Sequence, residues 1–542
     1  MLLGTYEKAG VPWSPTETPW DFGQDLLAND LERIAPSLEV AFEHFPALGD
    51  AGIRKVVNGP FTFAPDGNPL VGPVKGLKNF WVACGVMAGF SQGGGVGLAM
   101  SRWLIDGDPG ADIWGMDVAR YGDWTTLAYT NAKVRENYSR RFSIRFPNEE
   151  LQAARPLRTT PIYEKLQAAN AVFGDYCGLE HSLWFAPTAQ SAKDEFSFHR
   201  SNDFPHIAAE CDAVKSSVGL LEISNYGKFE VKGPGAADWL SHVMANRVPA
   251  VGRIALTPML NERGKLIGDF TMCRVAPEHF LLIGTYAAET YYLRWFERHL
   301  GAGVSVRPCA MEYVGLSIAG PKSRALLQEL VRDDLSTAAF PFLSFKRMEI
   351  GMVPGYVGRV SFTGELGFEI WVTTDYQRAL YDLLVDAGRK YDLRPFGGRA
   401  LNCMRVEKSF GTWTREYRPI YGPLEAGLGR FVDLKKEEFI GRAAAMEERR
   451  GGGALRLLTF KLETRDADAL GDEPIWHEGK VVGWVTSGAF GHRVNHSLAL
   501  GYVPASIAGA TSGFEIEIIG ERHHAEPLSE AAYDAKGSRM RI

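Results

Sequence analysis

The order of strand-like and helix-like segments constrains the fold of this chain more than any single motif does. From about Ser197, strands and helices alternate regularly: "GLLEISNYGKFEVKG" reads as strand, turn and strand, and "GAADWLSHVMA" reads as a helix. The charged segment "EERRGGGALRLL" ends this region, and short strand-like runs at regular spacing fill the last ~90 residues. This order predicts an α/β domain followed by a small β-barrel or sandwich.

Length and composition describe an ordinary multidomain globular chain. At about 150 residues per domain, 542 residues predict three or four domains. The net charge of -6 argues against a nucleic-acid-binding surface. No run approaches the ~18 unbroken apolar residues of a membrane helix, and "MLLGTYEKAGVPW" lacks the basic and apolar regions of a signal peptide. We therefore expect small-molecule partners, with no nucleic acid and no membrane.

The cysteines give an expectation about the compartment. Six cysteines are scattered without any CxxC pair, in apolar contexts such as "WVACG" and "TMCRV". This pattern predicts buried, reduced thiols and neither a metal site nor a disulfide framework. We therefore expect a reducing, cytoplasmic location.

The N-terminal part carries an unusual glycine-rich segment. "LLGTYE" reads as a strand, residues 26–44 as an amphipathic helix, and "NFWVACG" as a short buried strand. The segment "GVMAGFSQGGGVG" follows this strand and precedes helical periodicity that ends at Gly107. We predict a strand, a glycine turn and a helix whose free N-terminal amides could meet an electron-rich group. The alternative is that the glycines only allow the helix and the strand to pack closely.

Three charged residues stand out in the α/β region. Asp269 follows an Asn-Glu-Arg-Gly turn and lies between Gly268 and an apolar residue, which disfavours its charged form unless a donor binds it. In "TGELGFEIW", strand alternation points Glu369 to the face opposite its apolar neighbours. Arg405 lies in an apolar helix, where a guanidinium requires a carboxylate from the protein or from a ligand. Together the three residues suggest one polar site.

Motifs in a fixed order carry a family resemblance. "FEVKGPGAADWLS", "MLNERGKLIGDFT", "TGELGFEI", "ALNCMRVEKSFG" and "GPLEAGLGRFVDLKKEEFIGR" resemble the aminomethyltransferase (T-protein) family of the glycine cleavage system over residues ~200–535. The preceding "NGPFTFAPDGNPLVGP", "FWVACGVMAGFSQGGGVGLAMSRWLIDGDPGADIWGMDVARYG" and "NAVFGDYCGLE" resemble the dimethylglycine and sarcosine dehydrogenases. In that family an amine-oxidising flavin domain is joined to a folate-binding T-protein-like domain.

The resemblance implies an α+β multidomain protein. It would contain the C-terminal part of a flavin amine-oxidoreductase domain, a T-protein-like α/β folate-binding domain and a small C-terminal β-barrel. We expect an oxidoreductase fragment at 1–115, a central connecting domain at 116–195, the folate-binding domain at 196–448 and the barrel at 449–542.

The resemblance also assigns roles to residues of the folate site. Asp269 matches the aspartate that contacts the reactive nitrogens of tetrahydrofolate and assists proton transfer. Glu369 matches the glutamate that hydrogen-bonds the pterin, and Arg405 matches an arginine of the same cavity. Two positions depart from the family, which commonly has tyrosines where this chain has Phe362 and Leu256. Both substitutions keep apolar bulk and lose a hydroxyl.

For the flavin, the resemblance places Gly93, Gly94, Gly95 and Gly97 in a loop and helix start that lie against FAD. The G-x-G-x-x-G that holds the ADP part of FAD in the family is absent from this sequence. We therefore expect FAD binding only if a partner chain or an extension supplies that motif.

The implied activity is oxidation of an N-methyl group at the flavin, with transfer of the one-carbon unit to tetrahydrofolate to give 5,10-methylenetetrahydrofolate. Two alternatives remain open: a folate-dependent demethylase without flavin chemistry of its own, and a non-catalytic folate-binding subunit of a split flavoprotein. The particular methylated amine and the electron acceptor are open as well.

Overall fold

The computed structural model describes residues 2–8 and 10–542. The chain divides into two compact units, Met1–Leu157 and Arg158–Ile542, called unit 1 and unit 2 below. Within the described ranges, no helix has the length and apolar character needed to cross a bilayer.

The described residues of unit 1 form three α-helices and one small antiparallel sheet. Its elements are α1 (Leu31–His44), β1 (Leu70–Pro73), β2 (Trp81–Cys84), α2 (Gly89–Asp106) and α3 (Leu127–Ser139). The two strands pair with each other. Apolar side chains remain exposed in this unit, for example Phe90 and Ile105, and α1 buries none of its residues. Unit 1 therefore has only a small core of its own.

Three N-terminal predictions can be compared with this unit. The expected strand at "LLGTYE" is wrong, because residues 2–7 form neither helix nor strand. The expected helix within residues 26–44 is present as α1, which begins at Leu31 because the Asp30 side chain accepts a hydrogen bond from the amide of Arg33 at 3.1 Å. The strand predicted in "NFWVACG" is β2.

The predicted glycine turn is also wrong in its position. The turn lies earlier, at Gly85, whose φ of +65° favours glycine. Because α2 begins at Gly89, the four glycines at positions 93, 94, 95 and 97 lie inside the helix. The helix ends where predicted, with Gly107 as its left-handed cap.

Unit 2 begins with the α/β region. Its elements are α4 (Tyr163–Ala168), β3 (Ala171–Tyr176), β4 (Leu179–Phe185), α5 (Phe204–Ser216), β5 (Val218–Glu222), β6 (Tyr226–Lys232), α6 (Ala236–Val243), β7 (Ile254–Leu260), β8 (Leu266–Ala276), β9 (His279–Thr285), α7 (Glu289–Arg298), β10 (Ser305–Pro308), β11 (Tyr313–Ala319), α8 (Ser323–Gln328), β12 (Phe345–Ile350), β13 (Val353–Gly358), β14 (Gly367–Thr373), α9 (Gln377–Gly388), β15 (Leu393–Pro395), α10 (Gly398–Glu407) and α11 (Arg442–Gly451).

Two sheets organise this region. The first has the strand order β10-β6-β9-β8-β7 and is antiparallel throughout. The second has the order β12-β13-β14-β11-β5-β15, and only β15 joins it in parallel. Tyr226 of the first sheet contacts Trp371 of the second, with ring centroids 6.4 Å apart. One face of each sheet therefore meets the other.

The C-terminal region is a closed six-stranded barrel. Its strands are β16 (Leu455–Leu462), β17 (Pro474–His477), β18 (Lys480–Gly491), β19 (His496–Pro504), β20 (Phe514–Ile518) and β21 (Glu521–Leu528), and α12 (Ser538–Arg541) follows them. Closure leaves no sheet edge unpaired, and residues such as Phe460 and Phe514 fill the interior. The predicted α+β order of an α/β domain followed by a barrel is confirmed.

Candidate functional site

The first carboxylate of the site, Asp269, lies in the middle of β8. Pro258 of β7 pairs directly with Asp269, and Leu256 pairs with Thr271, two residues further along β8. Residues that are paired across strands, or two apart on one strand, share a face. Asp269 and Leu256 therefore lie on the same face of the first sheet. The pairings of β9 and β6 place Tyr226 on that face as well.

The second carboxylate, Glu369, lies on β14 in the interior of the second sheet. Its neighbours Phe368 and Ile370 are fully buried in the apolar core on the other side of this sheet. The side chain of Glu369 points to the same side as Trp371, the residue that contacts Tyr226. The orientation of Glu369 predicted from strand alternation agrees with this arrangement. The two carboxylates thus lie on the facing surfaces of the two sheets.

The exposure pattern indicates a cavity between these surfaces. Asp269 and Glu369 are each half-buried, although their chain neighbours on the same strands, such as Phe270 and Ile370, are buried. Both strands lie inside their sheets, β8 between β9 and β7 and β14 between β13 and β11. Accessible surface at such interior positions requires internal space. The two acids therefore line a cavity between the facing sheets.

The electrostatic environment of the cavity favours the protonated, neutral forms of Asp269 and Glu369. Burial raises the pKa of Asp269 to about 7, with a further contribution from the negative charge of Glu416. Burial likewise raises the pKa of Glu369 to about 7. The pKa of Tyr226 is raised by burial first and then by Glu369, Tyr176 and Asp269, so its phenol is close to both acids. Within the part of the chain that the structure describes, neither carboxylate forms a salt bridge. A ligand with N–H donors would satisfy them.

Arg405 obtains its carboxylate partner from the protein. It is buried on α10, and its guanidinium lies 3.0 Å from Glu416 Oε2. It also donates to Ser487 Oγ of the barrel at 2.7 Å and to the carbonyl of Phe410 at 3.0 Å. Glu416 accepts a further hydrogen bond from Thr486 Oγ1 at 2.8 Å. The pair therefore joins α10 to the barrel.

The pair acts on Asp269 through charge: after the larger effect of burial, the negative charge of Glu416 raises the pKa of Asp269. Four donor contacts of Arg405 are taken by protein groups: Asn402, Phe410, Glu416 and Ser487. Its contact with folate stays a prediction.

The two positions that lack the family's tyrosines differ in their surroundings. Leu256 shares the sheet face of Asp269. Phe362 stacks on Phe410 with ring centroids 5.7 Å apart, beside the carbonyl that Arg405 contacts. Leu256 therefore belongs to the wall that carries Asp269, and Phe362 packs next to the Arg405 cluster.

The glycines of α2 lie at open positions of the helix. A Cβ built on Gly93, Gly94, Gly95 or Gly97 would meet no heavy atom within 4 Å. The buried residues of this helix, Val96 and Ala99, follow Gly93 and Gly95 at spacings of three and four, so buried and open positions are neighbours on its surface. A flat ring system could approach this backbone closely, which fits the isoalloxazine part of a flavin. The described residues of unit 1 contain no parallel sheet of the kind that cradles a diphosphate.

Two residues of this site were not predicted from the sequence. Tyr226 lies at the start of a strand, where a tyrosine has no distinctive local pattern. Glu416, in "TWTREYRPI", could have been proposed, since a buried arginine predicts a buried carboxylate partner and Glu416 follows eleven positions later. Tyr226 becomes evident only from packing between distant segments.

Comparison with protein families now accounts for most of the chain. Residues 162–436 match the GCVT N-terminal domain, and residues 456–534 match the glycine cleavage T-protein C-terminal barrel domain. Residues 1–103 match FAD dependent oxidoreductases, and residues 106–160 match their central domain. The chain therefore belongs to the glycine cleavage T-protein family, here joined to FAD-dependent oxidoreductase segments.

Individual relatives agree with this assignment. The mouse mitochondrial dimethylglycine dehydrogenase is 37% identical over all of this chain, and the human mitochondrial sarcosine dehydrogenase is 31% identical. The chain spans 63% of the first relative and 64% of the second. The crystal structure of aminomethyltransferase T from Bartonella henselae covers 70% of this chain and 98% of its own, with 24% identity and a TM-score of 0.61, which supports the fold.

These findings confirm the resemblance to the dimethylglycine and sarcosine dehydrogenases and, with it, FAD and tetrahydrofolate as the cofactors of the family. The expected cytoplasmic location is wrong, because the dimethylglycine and sarcosine dehydrogenases that match this chain are mitochondrial. Reduced cysteines distinguish reducing from oxidising compartments, and they do not identify one reducing compartment among several.

Proposed function

We propose that the protein containing this chain is an FAD-dependent N-methylamine dehydrogenase of the dimethylglycine or sarcosine type. It passes the oxidised one-carbon unit to tetrahydrofolate, giving 5,10-methylenetetrahydrofolate. The observation that carries the proposal is the pair of salt-bridge-free carboxylates, Asp269 and Glu369, on the facing surfaces of two sheets.

Glu369 is the proposed recognition group for the pterin. A pterin edge presents N–H donors, and an ionised carboxylate offers only acceptors, so the two are complementary. Because the pKa of Glu369 is raised to about 7, the bound donors would favour its ionised form and expel its proton. Specificity for the pterin then arises because no cation among the described residues neutralises Glu369.

Asp269 is the proposed proton carrier of the transfer step. Its pKa of about 7 allows it to hold or release a proton near neutral pH, which suits a general acid–base group next to an amine nitrogen. Glu416 maintains this state by its negative charge, and Arg405 holds Glu416 in place. Leu256 would supply an apolar wall on the same sheet face.

FAD, when bound, supplies the two-electron acceptor for oxidation of the amine. The residues of this chain proposed to face its ring are Gly93, Gly94, Gly95 and Gly97, which are open positions of α2. The partner chain or extension that would supply the G-x-G-x-x-G motif is part of the proposal. The domain bounds at 115, 195 and 448 also stay predictions.

Titration of tetrahydrofolate into the full chain tests the folate site. We expect saturable binding without added FAD, because every proposed contact lies in unit 2. Glu369→Gln removes the charged acceptor and should weaken binding by about 1–3 kcal/mol. The matched control is Glu349→Gln, an exposed glutamate on β12 of the same sheet, which should leave the affinity unchanged. Absence of saturable binding at millimolar tetrahydrofolate would refute the site.

A further inference from the structure

A lysine is buried between the two facing sheets. Lys228 is on β6 and is 0% exposed. It lies two residues after Tyr226, so both side chains point to the face of the first sheet that carries Asp269. Burial lowers the pKa of Lys228 to about 8, and the charge of Glu222 opposes this shift, so the amine is mainly protonated at neutral pH. A buried ammonium group is costly unless its surroundings compensate the charge.

Hydrogen bonds compensate only part of this charge. Lys228 Nζ donates to the carbonyl of Ser224 at 2.8 Å. The amide of Ser224 donates to Glu222 Oε1 at 3.2 Å, and Gln377 Nε2 donates to the same oxygen at 3.2 Å. An ammonium group has three donors, and the Ser224 carbonyl uses one of them. An aromatic ring provides a further contact.

The ring is that of Trp371, from the second sheet. Lys228 Nζ lies 5.6 Å from its centroid, within the range of a cation–π interaction. Tyr226 meets the same ring edge-on, with centroids 6.4 Å apart. A Cβ built on Gly315 would lie 2.7 Å from two atoms of the ring, so the ring lies directly across this glycine. The indole N–H is buried and has no hydrogen bond of normal geometry, so packing against these three residues fixes the ring.

Trp371 is also the neighbour of the proposed pterin-binding acid. Glu369 and Trp371 are two residues apart on β14 and therefore share a face. Burial raises the pKa of Glu369 to about 7, and Trp371 acts on it in the opposite direction. A shift of the ring would therefore change both the space beside Glu369 and the charge of this acid.

We propose that Lys228 is a positioning residue of the folate site: its ammonium group holds the Trp371 ring, and the ring sets the position of Glu369. This inference rests on the proposed folate function. Lys228 has no exposed surface with which to touch a ligand, so it acts through Trp371. Removal of its charge should therefore weaken folate binding while the fold is kept.

Titration of tetrahydrofolate into the full chain carrying Lys228→Met tests this role. Methionine keeps the length of the side chain and removes the charge, and we expect the affinity to fall about tenfold. Lys133→Met is the matched control. Lys133 is buried on α3 of unit 1, donates to the carbonyl of Leu151 at 2.8 Å and lies 5.7 Å from the centroid of the Tyr129 ring. It has the same kinds of contact outside unit 2, so its removal should leave the affinity unchanged.

A second background separates positioning from a general loss of structure. In a chain that carries Trp371→Leu there is no ring to hold, so Lys228→Met should lower the affinity no further. Lys228→Met combined with Glu222→Gln removes both charges of the buried network, and it serves where the single variant folds poorly. It should show the same loss and the same dependence on Trp371. Unchanged affinity after loss of the Lys228 charge, or an equal loss in both backgrounds, would overturn the proposal.

Fluorine NMR distinguishes a failure of this proposal from a failure of the folate function. The protein is labelled with fluorotryptophan, and Trp371→Phe identifies the resonance of Trp371 among those of the 13 tryptophans. Lys228→Met should shift this resonance in the ligand-free protein. Binding of tetrahydrofolate by the wild type with an unmoved resonance would refute only the role of Lys228. Absence of binding by the wild type would refute the folate function and, with it, this role.

Discussion

Asp269 shows how one buried acid makes stability depend on pH. Its pKa is raised to about 7 by burial in the folded protein, whereas an aspartate in an unfolded chain titrates near about 4. Between these values the folded state binds more protons than the unfolded state. The contribution of Asp269 to the stability of the folded protein is therefore fully present below about pH 4 and is lost as the pH rises to about 7.

This difference gives a prediction for Asp269→Asn. The melting temperature of the wild type should fall more between pH 5 and pH 8 than that of the variant, and at pH 8 the variant should be the more stable. We expect a difference of about 1–3 kcal/mol, because the Asp269 side chain is partly exposed and solvent screens part of its charge. Thermal melts across this range check it. Parallel curves for the two proteins would contradict the burial of an unpaired acid.

At the same scale, the sequence predicts some features and misses others for identifiable reasons. Strand alternation was enough to predict the orientation of Glu369, because side chains alternate between the two faces of a strand and this depends only on adjacent residues. The apolar helix was enough to predict that Arg405 needs a carboxylate. The identity of that carboxylate, Glu416, depends on a loop folding back against the barrel, and no local pattern encodes such a contact.

At the scale of elements, α2 shows where local rules fail. Glycine costs roughly 1 kcal/mol per residue in a helix relative to alanine, so a run of glycines is typical of a turn. Here Val96 and Ala99 anchor the helix on one side, and Trp103 packs tightly against Gly72 of β1. Packing of these residues therefore outweighs the low helix propensity of the glycines. No contact among the described residues of unit 1 explains why the glycine positions are open.

The segment after the barrel is tied to the α/β region by a buried acid. Glu365 accepts hydrogen bonds from Arg493 at 3.1 Å, from the Tyr533 hydroxyl at 2.6 Å and from Arg539 at 2.6 Å. Arg493 is buried and also pairs with Glu407. The loop that leads to β14 is thus fixed by residues from far along the chain.

Glu365→Gln is therefore expected to destabilise unit 2. The change leaves Arg493 with one buried carboxylate fewer, and breaking such a pair costs about 3–5 kcal/mol. Tyr533→Phe removes one neutral donor and should cost about 1–2 kcal/mol. Denaturant midpoints, with Glu349→Gln as the exposed control, measure both changes. Equal midpoints for Glu365→Gln and Glu349→Gln would show that the hydrogen bonds of Glu365 do not hold the segment after the barrel in place.

At the scale of the whole molecule, the order of domains was predictable and their internal geometry was not. Regular alternation followed by short strands predicted the α/β region and the barrel, because both signals are periodic along the sequence. The facing of two sheets, which creates the cavity of Asp269 and Glu369, results from packing between strands far apart in the chain. The residue pattern singled out Asp269, Glu369 and Arg405, and the family resemblance supplied their folate roles.

The flavin proposal gives a prediction for the whole chain. A flavin needs a diphosphate cradle as well as a surface for its ring, and the described residues of unit 1 offer only the open glycine positions of α2. The purified chain should therefore be colourless. Supplying a chain or extension with the G-x-G-x-x-G motif should give a yellow protein, and Gly95→Val should then abolish the colour. A yellow chain with stoichiometric FAD would contradict this account.

The most direct test of the central claim counts the protons that accompany folate binding. Calorimetric titrations of tetrahydrofolate at pH 6, in two buffers of different ionisation enthalpy, give this number. If Glu369 becomes ionised when it accepts the pterin donors, the wild type should release about one proton more than Glu369→Gln, and the difference should vanish at pH 8.5. The same proton count for both proteins at pH 6, or equal affinities, would show that Glu369 does not hold the pterin.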